Sequence, residues 1–246
     1  MGRVILREED HKYINLDNLD YLYTSVTTVL HKYEVPFDAD FHSKRIALRD
    51  GREQQDILDE WKEINRIAIV YGKMVHSIME RHFLNQQNMY IPRDDFERTV
   101  IEEFAKLKMI NNHRIIKPEY VLTHPITKAK GIAGCGDLIE DVDEKKFNVW
   151  DFKTNREMTF MNDYDTWLKF PLSHLSQTKY NIYCMQISTY AYFYELETGK
   201  KVGTLGILYW DRGNEIEAQT GVWKVMYLPY LKTDVMRMID HFSNSL

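Results

Sequence analysis

Residues 131–155, GIAGCGDLIEDVDEKKFNVWDFKTN, read as two β-strands joined by a charged turn, and the second strand ends on Asp151-Phe152-Lys153. Asp143-Glu144-Lys145-Lys146 supplies the polar corner of a hairpin. A strand that buries its side chains has no structural need of charge at its end. Residues i and i+2 of a strand share a face, so Asp151 and Lys153 point the same way, and Asp137, expected at the end of the first strand, stands beside them at one edge of the sheet. Two adjacent carboxylates repel unless a cation lies between them, and oxygen ligands select Mg²⁺ or Mn²⁺ rather than zinc. The lysine then has a task, to orient or help deprotonate a water and to stabilise charge on a phosphate under attack. An isolated Asp-x-Lys is also a common salt-bridged strand end, so the rest of the chain has to decide.

Outward from this hairpin the pattern is regular. EYVLTHPI (119–126) reads as a strand ahead of it; behind it come a helix over 181–197, strands over 202–210 and 222–228, and a helix over 231–242. The outline β-β-β-α-β-β-α predicts a mixed sheet flanked by helices, an α/β or α+β protein. Ahead of it, TSVTTVLHKY offers Thr24 or Ser25 as a helix N-cap, and a second short helix starts at Asp38 or Asp40 and stops at Gly51. Residues 52–85 read as helix in two pieces meeting near Tyr71-Gly72, and 94–111 as an amphipathic helix. We expect one domain over 1–246: a mainly helical N-terminal part over 1–112 that includes the first core helix, then a sheet core with C-terminal helices over 113–246.

Composition narrows the class. The balance of 32 basic and 37 acidic residues gives a net charge of −5, which argues against non-specific coating of nucleic acid but leaves room for a local basic groove. Lys106, Lys108, Arg114, Lys117, Lys128 and Lys130 form such a run around the single acid Glu119; a solvated basic face is the alternative. Cys135 and Cys184 stand too far apart for a zinc or iron–sulfur motif. No apolar run is long enough for a signal peptide or a membrane span, so a reducing cytoplasm and no membrane partner are expected.

Two helical spacings add chemistry. YGKMVHSIMERHF sets Gly72, His76 and Glu80 at successive i+4 positions, and QISTYAYF sets Gln186 and Tyr190 on one face. A core histidine and a buried Gln–Tyr hydrogen bond are the structural alternatives. In chain order, G-x-x-x-H-x-x-x-E, G-x-x-D (Gly134, Asp137), D-x-K (Asp151, Lys153) and Q-x-x-x-Y resemble the motif series of the PD-(D/E)XK nuclease superfamily, in its RecB-like exonuclease branch. SVTTVL (25–30), the Glu119-Tyr120 pair and PLSHL (171–175) extend the resemblance toward phage-encoded and mitochondrial genome maintenance members, from about Thr24 to Trp210.

The resemblance implies a restriction-endonuclease-like fold and a Mg²⁺- or Mn²⁺-dependent deoxyribonuclease, an exonuclease acting on single-stranded DNA or free ends and leaving 5′-phosphates. A structure-specific endonuclease and a non-catalytic DNA-binding subunit are the alternatives. His76, Asp137, Asp151 and the backbone carbonyl of Phe152 would hold the metal, Lys153 would be the catalytic lysine, Glu80 would reach the metal through water, and Gln186 and Tyr190 would steady the lysine and the DNA backbone. Ser25 and Thr27 are expected at the substrate. Replication and recombination proteins are the implied partners, in the host cytoplasm for a phage-encoded chain. No iron–sulfur cluster is expected, because the cysteines that hold one in some relatives have no counterpart. Finally, the long segment between Lys153 and Gln186 carries Met158, Phe160, Met161, Tyr164, Trp167 and Phe170, and reads either as a small satellite core or as a flap in which Trp167 or Phe170 stacks on an unpaired base while Lys128 and Lys130 hold the backbone.

Overall fold

Among the described residues, the two strands of the opening stretch lie at the centre of an eight-stranded mixed sheet, and six helices flank it. The computed structural model describes residues 3–7, 9–85, 90–109, 114–160, 165–213, 215 and 218–246. In chain order the elements are β1 (Val4–Arg7), β2 (Lys12–Asn15), β3 (Leu22–Ser25), α1 (Val26–His31), α2 (Ala39–Asp50), α3 (Gln54–Leu84), α4 (Asp95–Ala105), β4 (Ile115–Pro125), β5 (Lys130–Asp141), β6 (Lys146–Lys153), α5 (Lys179–Thr198), β7 (Lys201–Asp211), β8 (Val222–Leu228) and α6 (Lys232–Ser243). From β4 onward this is the predicted order. No helix among the described residues is long and apolar enough to cross a membrane.

The sheet runs β1-β2-β3-β5-β6-β7-β8, with β4 paired along β5. β6 and β7 are parallel, which requires a crossover, and α5 is that crossover. β5 has an unusual neighbourhood. One edge pairs with β4 along its length, whereas the other pairs with β3 over Lys130–Ala133 and with β6 only over Leu138–Asp141. Between these two ladders the sheet forks, and Asp137 stands at the fork.

Alternation along β6 divides the core between the two faces of the sheet. Phe147 and Val149 pack with Val29, Ile187, Tyr194 and Phe242 beneath α1, α5 and α6. Trp150 and Phe152 pack with Tyr71, Met79, Val100 and Trp210 beneath α3 and α4. Each fully buried side chain of this size contributes about 1.5–3 kcal/mol, so both faces are firmly held. Asp151 and Lys153 therefore leave β6 on the α5 side, as the i, i+2 rule requires.

Local signals set the helix ends. Ser25 accepts the Thr28 N–H at 3.0 Å, Asp38 accepts that of Phe41 at 2.9 Å, and Gly51 closes α2 with φ at 65°. Three expectations need correction. The N-terminal part opens with three strands before its helices, because the short runs VILR, KYIN and LYTS gain their partners only through β5 and one another. Residues 54–84 form one unbroken helix rather than two pieces. Gly72 does not break it: a Cβ there would sit 3.1 Å from Thr154 Oγ1, so the glycine lets α3 pass close over the end of β6. The helix expected over 94–111 ends at Ala105, and Asn111 lies outside the described residues.

Candidate active site

Three carboxylates stand in one row across the fork. On the β4/β5 ladder Pro118 pairs with Leu138 and Tyr120 with Gly136, which sets Glu119 opposite Asp137. On the β5/β6 ladder Leu138 pairs with Trp150, and one step further Asp137 faces Asp151. Asp137 is thus in mid-strand, not at a strand end as its sequence position suggested. Its Oδ2 accepts the Phe152 N–H at 2.7 Å, which ties the two strands together where their ladder stops.

α3 brings an imidazole over this row. His76 Nδ1 lies 3.4 Å from Asp137 Oδ2, and one potential ligand atom from each of His76, Glu119 and Asp137 falls within 4.8 Å of the others. Glu80 is one turn further along α3 and lines the same cavity. At the end of β6, Asp151 is 1 % exposed and forms an ion pair with Lys153, whose ammonium lies 4.7 Å over the Tyr183 ring. The Asp151 Oδ2 has no hydrogen bond of good geometry in addition to that pair. Gln186 donates to the Tyr190 hydroxyl at 2.9 Å. Tyr190 reaches the row because Gly134 gives it room: a Cβ at Gly134 would stand 2.4 Å from the tyrosine ring.

The electrostatics follow from burial of like charges. Burial first, and then the nearby Asp137, push the Glu119 carboxyl up to about 8. Burial also raises Asp151, against the pull of Lys153 and with Asp137 adding to the rise. For Lys153 burial opposes the charge, but Asp151 and Asp137 outweigh it and raise the pKa, so the lysine is a firm cation. Glu119 also has φ at 46°, a left-handed conformation that costs a glutamate about 1 kcal/mol or more. A repelling, strained, under-neutralised row is the arrangement that a divalent cation would relieve. The donor set of imidazole and carboxylates suits Mn²⁺ or Mg²⁺. The Cys135 thiol donates to Glu119 Oε2 at 3.2 Å, and burial holds it protonated, so no soft thiolate joins the set.

These groups face a cavity of about 790 Å³. Of the residues singled out in the sequence, His76, Glu80, Asp137, Asp151, Lys153, Gln186, Tyr190, Ser25 and Thr27 line it. Ser25 spends its hydroxyl on capping α1. Phe152 is held differently, with its ring in the α3/α4 core and its N–H on Asp137. Trp167, Phe170, Lys128 and Lys130 are not brought to the cavity. Trp167 pairs with Ser176 in an isolated bridge and is 48 % exposed, while Phe170 meets His241 of α6 edge-on at 5.4 Å. Between them Leu168 enters the α5-side core, so this part of the segment packs as a satellite of that core. Met161 and Tyr164 lie outside the described residues. Lys128 and Lys130 sit in and after the β4–β5 turn, seven or more residues along the strand from Asp137. The expected basic groove is divided as well, because Lys106 pairs with Glu103, Arg114 with Glu140 and Lys117 with Asp141.

Two contributions escaped the sequence reading. Glu119 was visible as the single acid of a basic run and as part of a Glu-Tyr pair, and its place opposite Asp137 depends on register. The β1–β2 hairpin supplies Val4, Ile5, Leu6, His11 and Tyr13 as one wall of the cavity, with no motif to announce it.

No family model and no curated protein matches the chain. Among solved structures it is similar to a protein of Eubacterium rectale named "Putative exonuclease", at 13 % identity over 71 % of this chain and 65 % of that one, with a TM-score of 0.42. It is also similar to SSO0001, at 14 % identity over 61 % and 59 % of the two chains, with a TM-score of 0.31. The functional reading below therefore rests on the geometry of the site.

Proposed function

We propose that this chain is a Mg²⁺- or Mn²⁺-dependent deoxyribonuclease that hydrolyses single-stranded DNA from its ends and leaves 5′-phosphates. One observation carries the reading: a row of three carboxylates beneath an imidazole, closed by a buried lysine, all facing one open cavity. His76, Glu119 and Asp137 would hold the cation, joined by Asp151 and the Phe152 carbonyl. When bound, the metal supplies charge stabilisation at the phosphate and lowers the pKa of water.

The chain's own groups do the rest. Asp151 and the Tyr183 ring hold the Lys153 ammonium at the cavity wall, where it can donate to a phosphate oxygen and stabilise the negative charge that builds up during attack. In the metal-free protein Asp151 and Asp137 raise the Lys153 pKa, so the lysine carries a charge and a donor to the cavity. The Gln186–Tyr190 pair lines the same cavity, where it would steady the lysine and a bound strand.

End-labelled single-stranded, duplex and circular DNA, each with and without Mg²⁺, test the proposal. Linear single strands should shorten from their ends only when metal is present, and circles should survive. Cutting of circles would make the protein an endonuclease, and absence of any metal-dependent cleavage would overturn the reading.

A further inference from the structure

A second cavity, of about 460 Å³, opens beside the first. Thr154, next in the chain to Lys153, lines it, as do Ala68 and Ile69, one helical turn before Gly72. The close contact of Gly72 with Thr154 separates the two spaces. The lining is of a particular kind: Trp61, Ile64 and Ile69 present apolar and aromatic surface, Asn155 a polar edge, and Arg156 and Lys179 positive charge. Among the described residues no carboxylate lines it.

The backbone that carries Arg156 is fixed in place. The Tyr209 hydroxyl donates to the carbonyls of Asn155 and Arg156, at 2.8 and 3.2 Å, and Asn155 Nδ2 donates to the Tyr183 hydroxyl at 2.6 Å. Tyr183 is also the ring beneath Lys153. One tyrosine thus holds both the lysine of the first cavity and the wall of the second. Among the described residues Arg156 has no carboxylate partner and Lys179 reaches only the Glu157 carbonyl, at 3.5 Å. The aromatic side continues beyond the cavity, since Trp61 lies 5.8 Å from Phe37, which is 62 % exposed.

From this geometry we infer that the second cavity binds a nucleotide of the same DNA strand, away from the scissile bond, with its base on Trp61 and its phosphate on Arg156 and Lys179. The inference rests on the nuclease reading above and adds a strand-holding site to it. An aromatic face accepts any base, and the two cations neutralise the backbone, so the site selects single strands without selecting sequence. A duplex keeps its bases stacked inside and offers Trp61 none.

Binding of fluorescent dT oligonucleotides, three and twelve nucleotides long, to the full chain in EDTA tests the inference, together with cleavage in Mg²⁺. Trp61→Ala should weaken twelve-mer binding roughly tenfold, within the range for loss of one stacked base, and Trp61→Phe should restore most of it. Arg156→Gln should weaken it several-fold and lower the slope of log affinity against log salt by about one. Both losses should appear in KM rather than kcat, and Arg237→Ala on α6 should change neither. Twelve-mer affinities equal to wild type in both variants, with metal-dependent cleavage intact, would overturn the second site and leave the nuclease reading standing. A wild-type protein that neither binds nor cleaves DNA would overturn both.

Discussion

Two acidic clusters lie four residues apart on β5, and they are built on opposite principles. At the end of the strand Glu140 and Asp141 are buried but fully answered. Arg114 bonds to Glu140 at 2.6 Å, with Asn148 and Trp150 on its other oxygen, and Lys117, Lys200 and the Tyr194 hydroxyl surround Asp141 at 2.9–3.0 Å. Burial alone would raise Asp141, yet Lys200, Lys117 and Tyr194 outweigh it and lower the pKa. At the fork, Glu119, Asp137 and Asp151 share one lysine and an imidazole, and the pKa values of Glu119 and Asp151 move up. One strand therefore passes through a neutralised polar network, which holds its end in place, and an under-neutralised one, where the proposed cation would complete the charge balance.

The sharpest break of this contrast is in activity. Asp151→Asn, like Lys153→Ala, should lower metal-dependent cleavage by about two to three orders of magnitude, the scale of losing a stabiliser of the transition state. Its metal-free melting temperature should change little, since the substitution removes a repulsion together with an attraction. Asp141→Asn should do the reverse. It strands two lysines beside a buried tyrosine, should cost about 3 kcal/mol in denaturant unfolding, and should leave the turnover of the surviving folded protein near wild type. An Asp141→Asn protein as stable as wild type would remove the distinction between the clusters.

The pH dependence of stability should separate them next. Asp141 has a folded pKa below its unfolded value, so its contribution is present above the unfolded value of about 3.8 and is lost as pH falls through the folded one. Glu119 has the opposite sign. Its folded form binds more protons than the unfolded form between about 4.5 and about 8, so the metal-free protein should lose stability, by up to about 1.4 kcal/mol per pH unit, as pH rises through that window. Glu119→Gln should flatten this alkaline limb alone, as read from chemical denaturation in EDTA at pH 5, 7 and 8.5. The smallest effect expected is on affinity: His76→Ala should weaken Mn²⁺ binding roughly tenfold by calorimetry, and equal affinities would assign the imidazole to packing.

The legibility of the two clusters in the sequence also differs. Gly131 to Asn155 could be read because strand alternation, a charged turn and Asp-x-Lys are local signals, and the order from Glu119 to Phe242 followed from similar ones. His76, Glu80, Gln186 and Tyr190 were legible from helical spacing. Glu119 was not, because only the β4/β5 register places it against Asp137. Arg114 and Lys117 looked like part of a basic surface, since nothing in the sequence reveals the buried acids they answer. The strands β1–β3 were missed for the same reason. Four-residue runs carry too little periodicity, and their stability is supplied by neighbours distant in sequence.

The unbroken course of α3 has a further consequence, one of length. A helix advances about 1.5 Å per residue, so His76 stands about 10 Å along the rod from Ile69 and about 22 Å from Trp61, at the near and far ends of the second cavity. A stacked strand advances about 3.4 Å per nucleotide. Some three nucleotides would therefore span from the reacting phosphate to the near end, and about seven to the far one, fewer where the strand is stretched. Had α3 been hinged at Gly72 this interval would vary; as a single rod it is a ruler. Affinity should climb with oligonucleotide length over that interval and then level off, giving the protein a shortest good substrate set by the helix rather than by the chemistry.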